Sequence, residues 1–317
     1  MARIQLSIIV SGLSRLFGDD LSQLLEMAKI ADAVGIDQLM LPDHIAIGRH
    51  TDRYPYGDFP LPIDEPWLEP LTTLAAIAGA TSQIRLGTGI LIVPLRPALL
   101  LAKTAATLDV LSGGRLDLGV GSGWQEDEFR GVGVPFERRS ARMEDTLRAC
   151  RALWSEAPAS FESDTVSFQD LWCLPRPVQS DGIPIWFGVG LNERNIARIV
   201  ELGAGWMPVG ARQDEIADGA KRLREACTAA GRDPTTLGVR GSIAPLRGDS
   251  GSSRSNMSNK PNRSSKRVDL ERSLAEALPA LSQAGVTHAS LALAAFARRP
   301  EDVRPFLEEL GKLHGAG

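Results

Sequence analysis

A chain of 317 residues with 43% hydrophobic side chains can bury a large core, and its net charge of −4, from 39 acidic and 35 basic residues, gives nucleic acid or an anionic membrane little to hold. A small molecule is the expected partner. Three widely separated cysteines, Cys150, Cys173 and Cys227, form no CxxC and suggest neither a disulfide framework nor a zinc site.

The N-terminus starts directly on a strand-like segment over 4–10, without the regions of a signal peptide, and no apolar run of about 18 residues occurs. A cytoplasmic protein with no membrane segment is expected. Asp19 or Asp20 can cap a helix whose apolar positions Leu21, Leu24, Leu25, Ala28 and Ala31 follow helical spacing up to Gly35. A second strand over 38–42 leads into a long loop, 43–67, rich in Pro, Tyr, Asp and Gly; loops of that length in a compact domain usually carry function. A helix over 68–81 then precedes a strand over 84–93, a helix over 99–111, a Gly-Gly turn and a strand closing on Gly121-Ser122-Gly123, a βαβ unit with parallel strands. Glycine ends both strands, where a backbone approached closely cannot carry a Cβ.

After a loop over 125–135 and a helix over 138–156, the stretch 160–177 reads as a small hairpin outside the main rhythm. Strands over 183–189, 205–209, 237–244 and 288–293 alternate with helices over 192–202, 214–230, 270–284 and 301–314. Eight strands each followed by a helix predict a (β/α)8 TIM barrel, with insertions after strands 2, 4 and 7 and the hairpin before strand 5. One domain should span 1–317. The segment 248–267, with seven serines, five basic residues and Met257 as its one apolar side chain, is expected to be a mobile insertion.

Several motifs in order carry a resemblance. LGTGILIVP, AKTAATLDVLSGGRLDLGVGSGW and GVPFERRSARMEDTLRACRALW, with LMLPDHI, PIWFGVG and LGAGWMP at the expected strand ends, resemble the luciferase-like monooxygenase superfamily, and especially its coenzyme F(420)-dependent branch. The resemblance covers nearly the whole chain except 248–267. It implies a TIM barrel that binds coenzyme F(420), or alternatively FMN, at the C-terminal ends of the strands.

His44 follows strand 2, where barrel active sites are built, and an imidazole can exchange a proton near neutrality. The resemblance places Asp43 and His44 at the cofactor, with His44 catalytic. Gly48 stands where some relatives have a tryptophan. Gly87, Thr88 and Gly89 match the place where the family bends a strand behind the isoalloxazine, often with a cis non-proline bond; on the residues alone a β-bulge is the alternative. Gly121 and Ser122 end strand 4 beside the cofactor, and Trp124, where relatives with a glutamate proton donor carry that acid, is expected to wall the substrate pocket. Glu126 and Glu128 read as solvated loop carboxylates, and Lys103 and Arg115 as structural.

Gly188, Gly190 and Asn192 sit between strand 5 and its helix, where free N–H groups can receive the cofactor phosphate. Neither GVGLNE nor GVGSGW completes GxGxxG, so a Rossmann reading fails. With four histidines, three of them in a loop, at a strand start and at the terminus, a metal-dependent hydrolase is disfavoured. The expected function is hydride transfer between the deazaflavin and a small hydrophobic substrate, under Tyr54, Tyr56, Phe59 and Trp67 of the long loop. An FMN-dependent monooxygenase and a non-catalytic deazaflavin-binding protein are the alternatives, and a homodimer is possible on this reading.

Overall fold

Short, largely buried strands alternate with helices and close into a ring; the computed structural model describes residues 3–247 and 268–315. The segment expected to be mobile, 248–267, lies outside the described residues. The barrel strands are β1 (Gln5–Ile9), β2 (Gln38–Leu41), β3 (Arg85–Thr88), β4 (Leu116–Gly121), β5 (Ile185–Phe187), β6 (Gly205–Trp206), β7 (Gly238–Ser242) and β8 (His288–Ala292). They lie in the order β3-β2-β1-β8-β7-β6-β5-β4, all parallel, and β3 pairs back onto β4 to close the ring. The outer layer comprises the helices Gln23–Ala33, Pro70–Ala80, Ala98–Ser112, Arg139–Ser155, Glu193–Leu202, Gln213–Ala229, Leu270–Gln283 and Pro300–Gly315. Among the described residues no helix is long and apolar enough to cross a membrane.

The expected hairpin before β5 is an antiparallel pair, Ala159–Glu162 with Ser167–Leu171. Beyond β7, Leu246–Arg247 pairs antiparallel with Val268–Asp269. Three short helices were not legible: Leu13–Phe17, Glu126–Gly131 and Leu293–Phe296 follow β1, β4 and β8 and surround the mouth of the barrel. At four to six residues they are too short for a 3.6-residue period to register.

The strand expected to run unbroken over 84–93 is interrupted. Leu86 pairs with Leu116, but further along Leu91 pairs with Val120 and Ile92 with Gly121. Five residue steps on β3 therefore face four on β4, which is a bulge of one residue, and the Gly89–Ile90 peptide within it is cis. The cis bond and the bulge, which were alternatives for Gly87-Thr88-Gly89, occur together. The seam is tight: Thr88 Oγ1 donates to Gly119 O at 2.7 Å, and a Cβ at Gly119 would lie 2.0 Å from Thr88 O.

Helix Glu193–Leu202 is held to helix Arg139–Ser155 by an ion cluster. Glu144 accepts from Arg198 (2.5 and 3.1 Å), Arg194 (3.1 Å) and Arg148 (3.3 Å), and the Arg198 side chain is only 1% exposed. Burial alone would raise the Glu144 carboxyl; the arginines, Arg198 foremost, reverse this and hold its pKa at about 2. A depressed carboxylate stabilises the fold above its ordinary pKa and stops doing so as pH falls through the native value. Acid titration should accordingly remove about 3 kcal/mol of stability between about pH 4.5 and pH 2 that Glu144→Gln lacks at every pH. At neutral pH Glu144→Gln should cost about 2–4 kcal/mol, because Arg198 is left buried without its carboxylate; equal denaturant midpoints for wild type and variant would contradict this.

Candidate active site

A cavity of about 630 Å³ opens at the C-terminal ends of the strands. Its walls bring together residues far apart in sequence: Asp43 and His44 after β2, Gly89 and Ile90 at the bulge, Ser122 and Trp124 after β4, and Gly188 after β5. The long loop closes over it with Tyr54, Tyr56, Phe59 and Trp67. Aromatic rings pack against one another around this roof, with Trp124 edge to face with Tyr54 at 5.2 Å and tilted against Phe59 at 5.6 Å.

His44 is buried in that wall, its ring 4.7 Å from Trp67, 5.9 Å from Trp124 and 6.3 Å from Phe59. Its Nδ1 lies 3.1 Å from Glu128 Oε2, while Nε2 has no protein partner among the described residues and opens to the cavity. Facing a carboxylate, Nδ1 carries the proton, so Nε2 presents its lone pair when the ring is neutral. Glu128 also accepts the N–H groups of Ile45 and Ala46.

The expectation that Glu128 is a solvated loop carboxylate is thus corrected. The short helix Glu126–Gly131 turns Phe129 inward against Ile92, Leu95 and Phe136, and the neighbouring Glu128 is carried to 3% exposure. Glu126 does stay partly exposed, paired with Arg130 and Arg53. Gly48 has its own reason to lack a side chain. A Cβ there would fall 2.6 Å from Asp127, and its N–H and C=O are both taken by the Gln125 amide at 2.7 and 3.1 Å.

Asp43 lines the cavity, yet both of its oxygens are occupied. Arg96 donates to them at 2.6 and 3.0 Å, and the Ile92 N–H donates at 2.8 Å. Burial pushes the Asp43 carboxyl up against the pull of Arg96. Arg96 in turn donates to Glu69, which caps helix Pro70–Ala80 through the Thr72 N–H. This chain of contacts fixes the loop after β2 to the bulged end of β3.

The glycines at the strand ends meet protein before they meet ligand. A Cβ on Gly121 would lie 1.9 Å from Ile90 Cδ1, one on Gly188 2.6 Å from Ile90 Cγ2, and one on Gly89 2.9 Å from Met40 Cε. Gly87 faces the Gln38 amide, and Thr88 is buried in the seam. Ile90 therefore lies across the mouth as an apolar platform. On the far side, Asn192 caps helix Glu193–Leu202 by accepting the Asn195 N–H at 2.9 Å, and Asn195 Nδ2 donates to Gly190 O. Gly190 itself borders a second hollow of about 420 Å³ with Asp214, Glu215, Asp218 and Arg222.

Arg139 is a cation on the main cavity that the sequence did not mark. Arg139 lies over the Phe136 ring at 3.9 Å and donates to Gly123 O and Phe136 O, with no carboxylate within ion-pairing distance among the described residues. Burial lowers its pKa against a weak opposing pull from Glu137. The motif GVPFERRSARM contained it, but nothing there marked which of its arginines faces inward. Arg115 donates instead to the backbone carbonyls of Ala78, Thr81 and Ile84, far from the mouth, and Lys103 to Leu174 O.

A family model described as luciferase-like monooxygenase matches residues 5–297. The chain is 36% identical over 210 residues to an uncharacterized protein of Mycobacterium tuberculosis, covering 65% of this chain and 74% of that protein. It is similar both to the F(420)-dependent glucose-6-phosphate dehydrogenase of Amycolatopsis mediterranei, at 31% over 172 residues (53% of this chain, 47% of the other), and to the FMNH(2)-dependent dimethylsulfone monooxygenase of Pseudomonas putida, at 29% over 175 residues (54% and 44%). The monooxygenase RslO1 from Streptomyces bottropensis superposes with a TM-score of 0.74 at 22% identity, covering 98% of both chains.

Because Glu128 ties the His44 ring and two backbone N–H groups to the helix after β4, Glu128→Ala should cost about 2–3 kcal/mol, and Glu128→Gln clearly less. Thermal melting of the two variants beside wild type measures this. Equal stability of all three would mean that Glu128 does not anchor the loop.

Proposed function

This chain belongs to the luciferase-like monooxygenase family, and we propose that it is an oxidoreductase that holds coenzyme F(420) in the barrel mouth and moves a hydride between it and a small, apolar organic substrate. The observation that carries the reading is His44, clamped through Nδ1 by Glu128 and presenting Nε2 to an aromatic-walled cavity. A volume of about 630 Å³ lies within the range of cofactor and drug-sized sites. The residues fit such a group: Ile90, Gly188 and Met207 would seat its ring, and Ser122, Arg139 and the helix end at Asn192 would receive its phosphate. Bound there, the deazaflavin supplies or accepts the hydride.

The protein's own part is orientation and proton handling. With Nδ1–H donated to Glu128, Nε2 can take a proton from a substrate hydroxyl, and the Glu128 carboxylate stabilises the cation so formed. In the reverse direction Nε2–H returns that proton. Trp67, Trp124, Tyr54 and Phe59 exclude water and contribute apolar area for the substrate. A second reading, an FMN-dependent monooxygenase, is favoured by the similarity to the dimethylsulfone enzyme. A protein that binds the deazaflavin without turning it over is the third.

Titration of the purified protein with both cofactors tests the assignment: tight binding of F(420) and weak binding of FMN are expected, whereas tighter FMN binding with oxygen-dependent product formation would favour the monooxygenase. His44→Ala should lower turnover about 10²-fold or more and leave cofactor affinity within a few-fold. Unchanged turnover at saturating substrate removes His44 from the mechanism. Gly190→Val is the cleaner probe of the phosphate end, since a Cβ at Gly190 meets nothing within 4 Å while one at Gly188 strikes Ile90; it should weaken cofactor binding with the melting temperature intact.

A further inference from the structure

One buried cation inside the barrel has no carboxylate of its own. Arg240, on β7, is 4% exposed, yet it reaches the floor of the cavity beside Ser242, Ser290, Ile9 and Met207. Its Nη1 donates to Ser7 Oγ and, at 3.4 Å, to Ser290 Oγ, and its Nη2 donates to Gln38 Oε1 at 2.8 Å. All three acceptors are neutral. Nε is buried and has no hydrogen-bond partner among the described residues. Gln38 passes its own amide on to Asp117 at 2.6 Å, but Asp117 is already held by Arg85 through two bonds of 2.7 and 2.8 Å.

The remaining neighbours supply no negative charge either. Arg240 lies over the Trp186 ring at 4.9 Å, and His288 packs against that ring from 4.5 Å. Burial, and then the charge of Arg240, hold the His288 pKa down to about 3, so this imidazole is neutral. Burial lowers Arg240 only to about 10, and it remains a cation at neutral pH. A guanidinium taken out of water costs several kcal/mol unless it is paired and all its N–H groups are bonded. Here the Nε–H is left over and enclosed by protein, while the guanidinium as a whole, with no carboxylate to offset its charge, lies on the cavity floor.

We propose that Arg240 anchors an anion subsite on the cavity floor, where the uncompensated charge of its guanidinium and the hydroxyls of Ser242 and Ser290 receive a negatively charged oxygen of the bound molecule. Two sources share that chemistry: a carboxylate on the substrate, and the deprotonated edge of the reduced cofactor ring. The subsite belongs to the cavity proposed above for the cofactor, but it does not depend on which cofactor is used.

Calorimetric titration of the cofactor-free protein with benzoate and with its neutral isostere benzamide tests the first source. Benzoate should bind at least tenfold tighter than benzamide, with this preference lost in Arg240→Met and partly kept in Arg240→Lys. The second source is tested by comparing reduced with oxidised F(420): a preference of tenfold or more for the reduced form, again lost in Arg240→Met, puts the anion on the cofactor. Arg240→Met should melt within a few degrees of wild type, because removing an uncompensated buried charge relieves the fold of its desolvation. Either preference, lost in Arg240→Met while Arg240→Lys keeps part of it, supports the subsite. The absence of both preferences from the wild type, or their survival in Arg240→Met, overturns it, and the benzoate arm decides this even if F(420) does not bind.

Discussion

The mouth of this barrel depends on the one extra residue that β3 inserts against β4 where the ring closes. Without it β3 would run straight past β4 and Ile90 would take the next place in the pleat. With it, Ile90 lies across the ends of β4 and β5, and Gly121 and Gly188 are compelled to be glycine because the isoleucine fills the space of their Cβ atoms. The same shift presents the Ile92 N–H to Asp43, which collects Arg96 and through it Glu69. A local change of register thus sets the platform, the neighbouring strand ends and the start of the loop that carries His44.

Much of this was legible in the chain itself. Apolar runs and helical spacing recur eight times, and each expected strand lies within a few residues of a real one, because the barrel buries its strands on both faces and leaves the helices amphipathic. His44, Trp124 and the aromatic loop could be singled out since they follow strand ends. Glu128 could not: its burial comes from Phe129, two side chains of one short helical turn moving together, and local sequence does not report which side of such a turn faces the core. Nor could the reason for Gly121 and Gly188, which lies in a side chain some thirty and a hundred residues away. Glycine at a strand end announces close approach, but not of what.

Charge is distributed in the molecule with a consistent logic. Carboxylates that fix the framework are saturated: Asp43 by Arg96 and a backbone N–H, Glu144 by three arginines, Glu128 by His44 and two N–H groups. Such groups cost little once paired, and each joins elements that would otherwise meet only through apolar contact. Arg139 and Arg240, which have no carboxylate partner among the described residues, line the same cavity; of the buried polar atoms without a hydrogen bond, Trp67 Nε1 and Arg240 Nε belong to residues that line it and Thr146 Oγ1 does not. A charge without its counter-charge is unfavourable inside a fold, so two such cations on one hollow support an anionic ligand there.

The same inventory limits where a proton can be exchanged. Asp43 is committed to Arg96, and the arginines stay charged. Burial pushes the phenols of Tyr54 and Tyr56 above their ordinary values, with Tyr56 adding to the effect on Tyr54, so neither exchanges a proton near neutrality. Trp124, on the cavity wall beyond β4, has no proton to give to a reacting oxygen except through its indole N–H. What is left on the described surface of the cavity to exchange a proton is the imidazole of His44. Glu128 gains its importance from that scarcity: with a single exchanging group, the carboxylate that fixes its tautomer also decides which nitrogen faces the substrate.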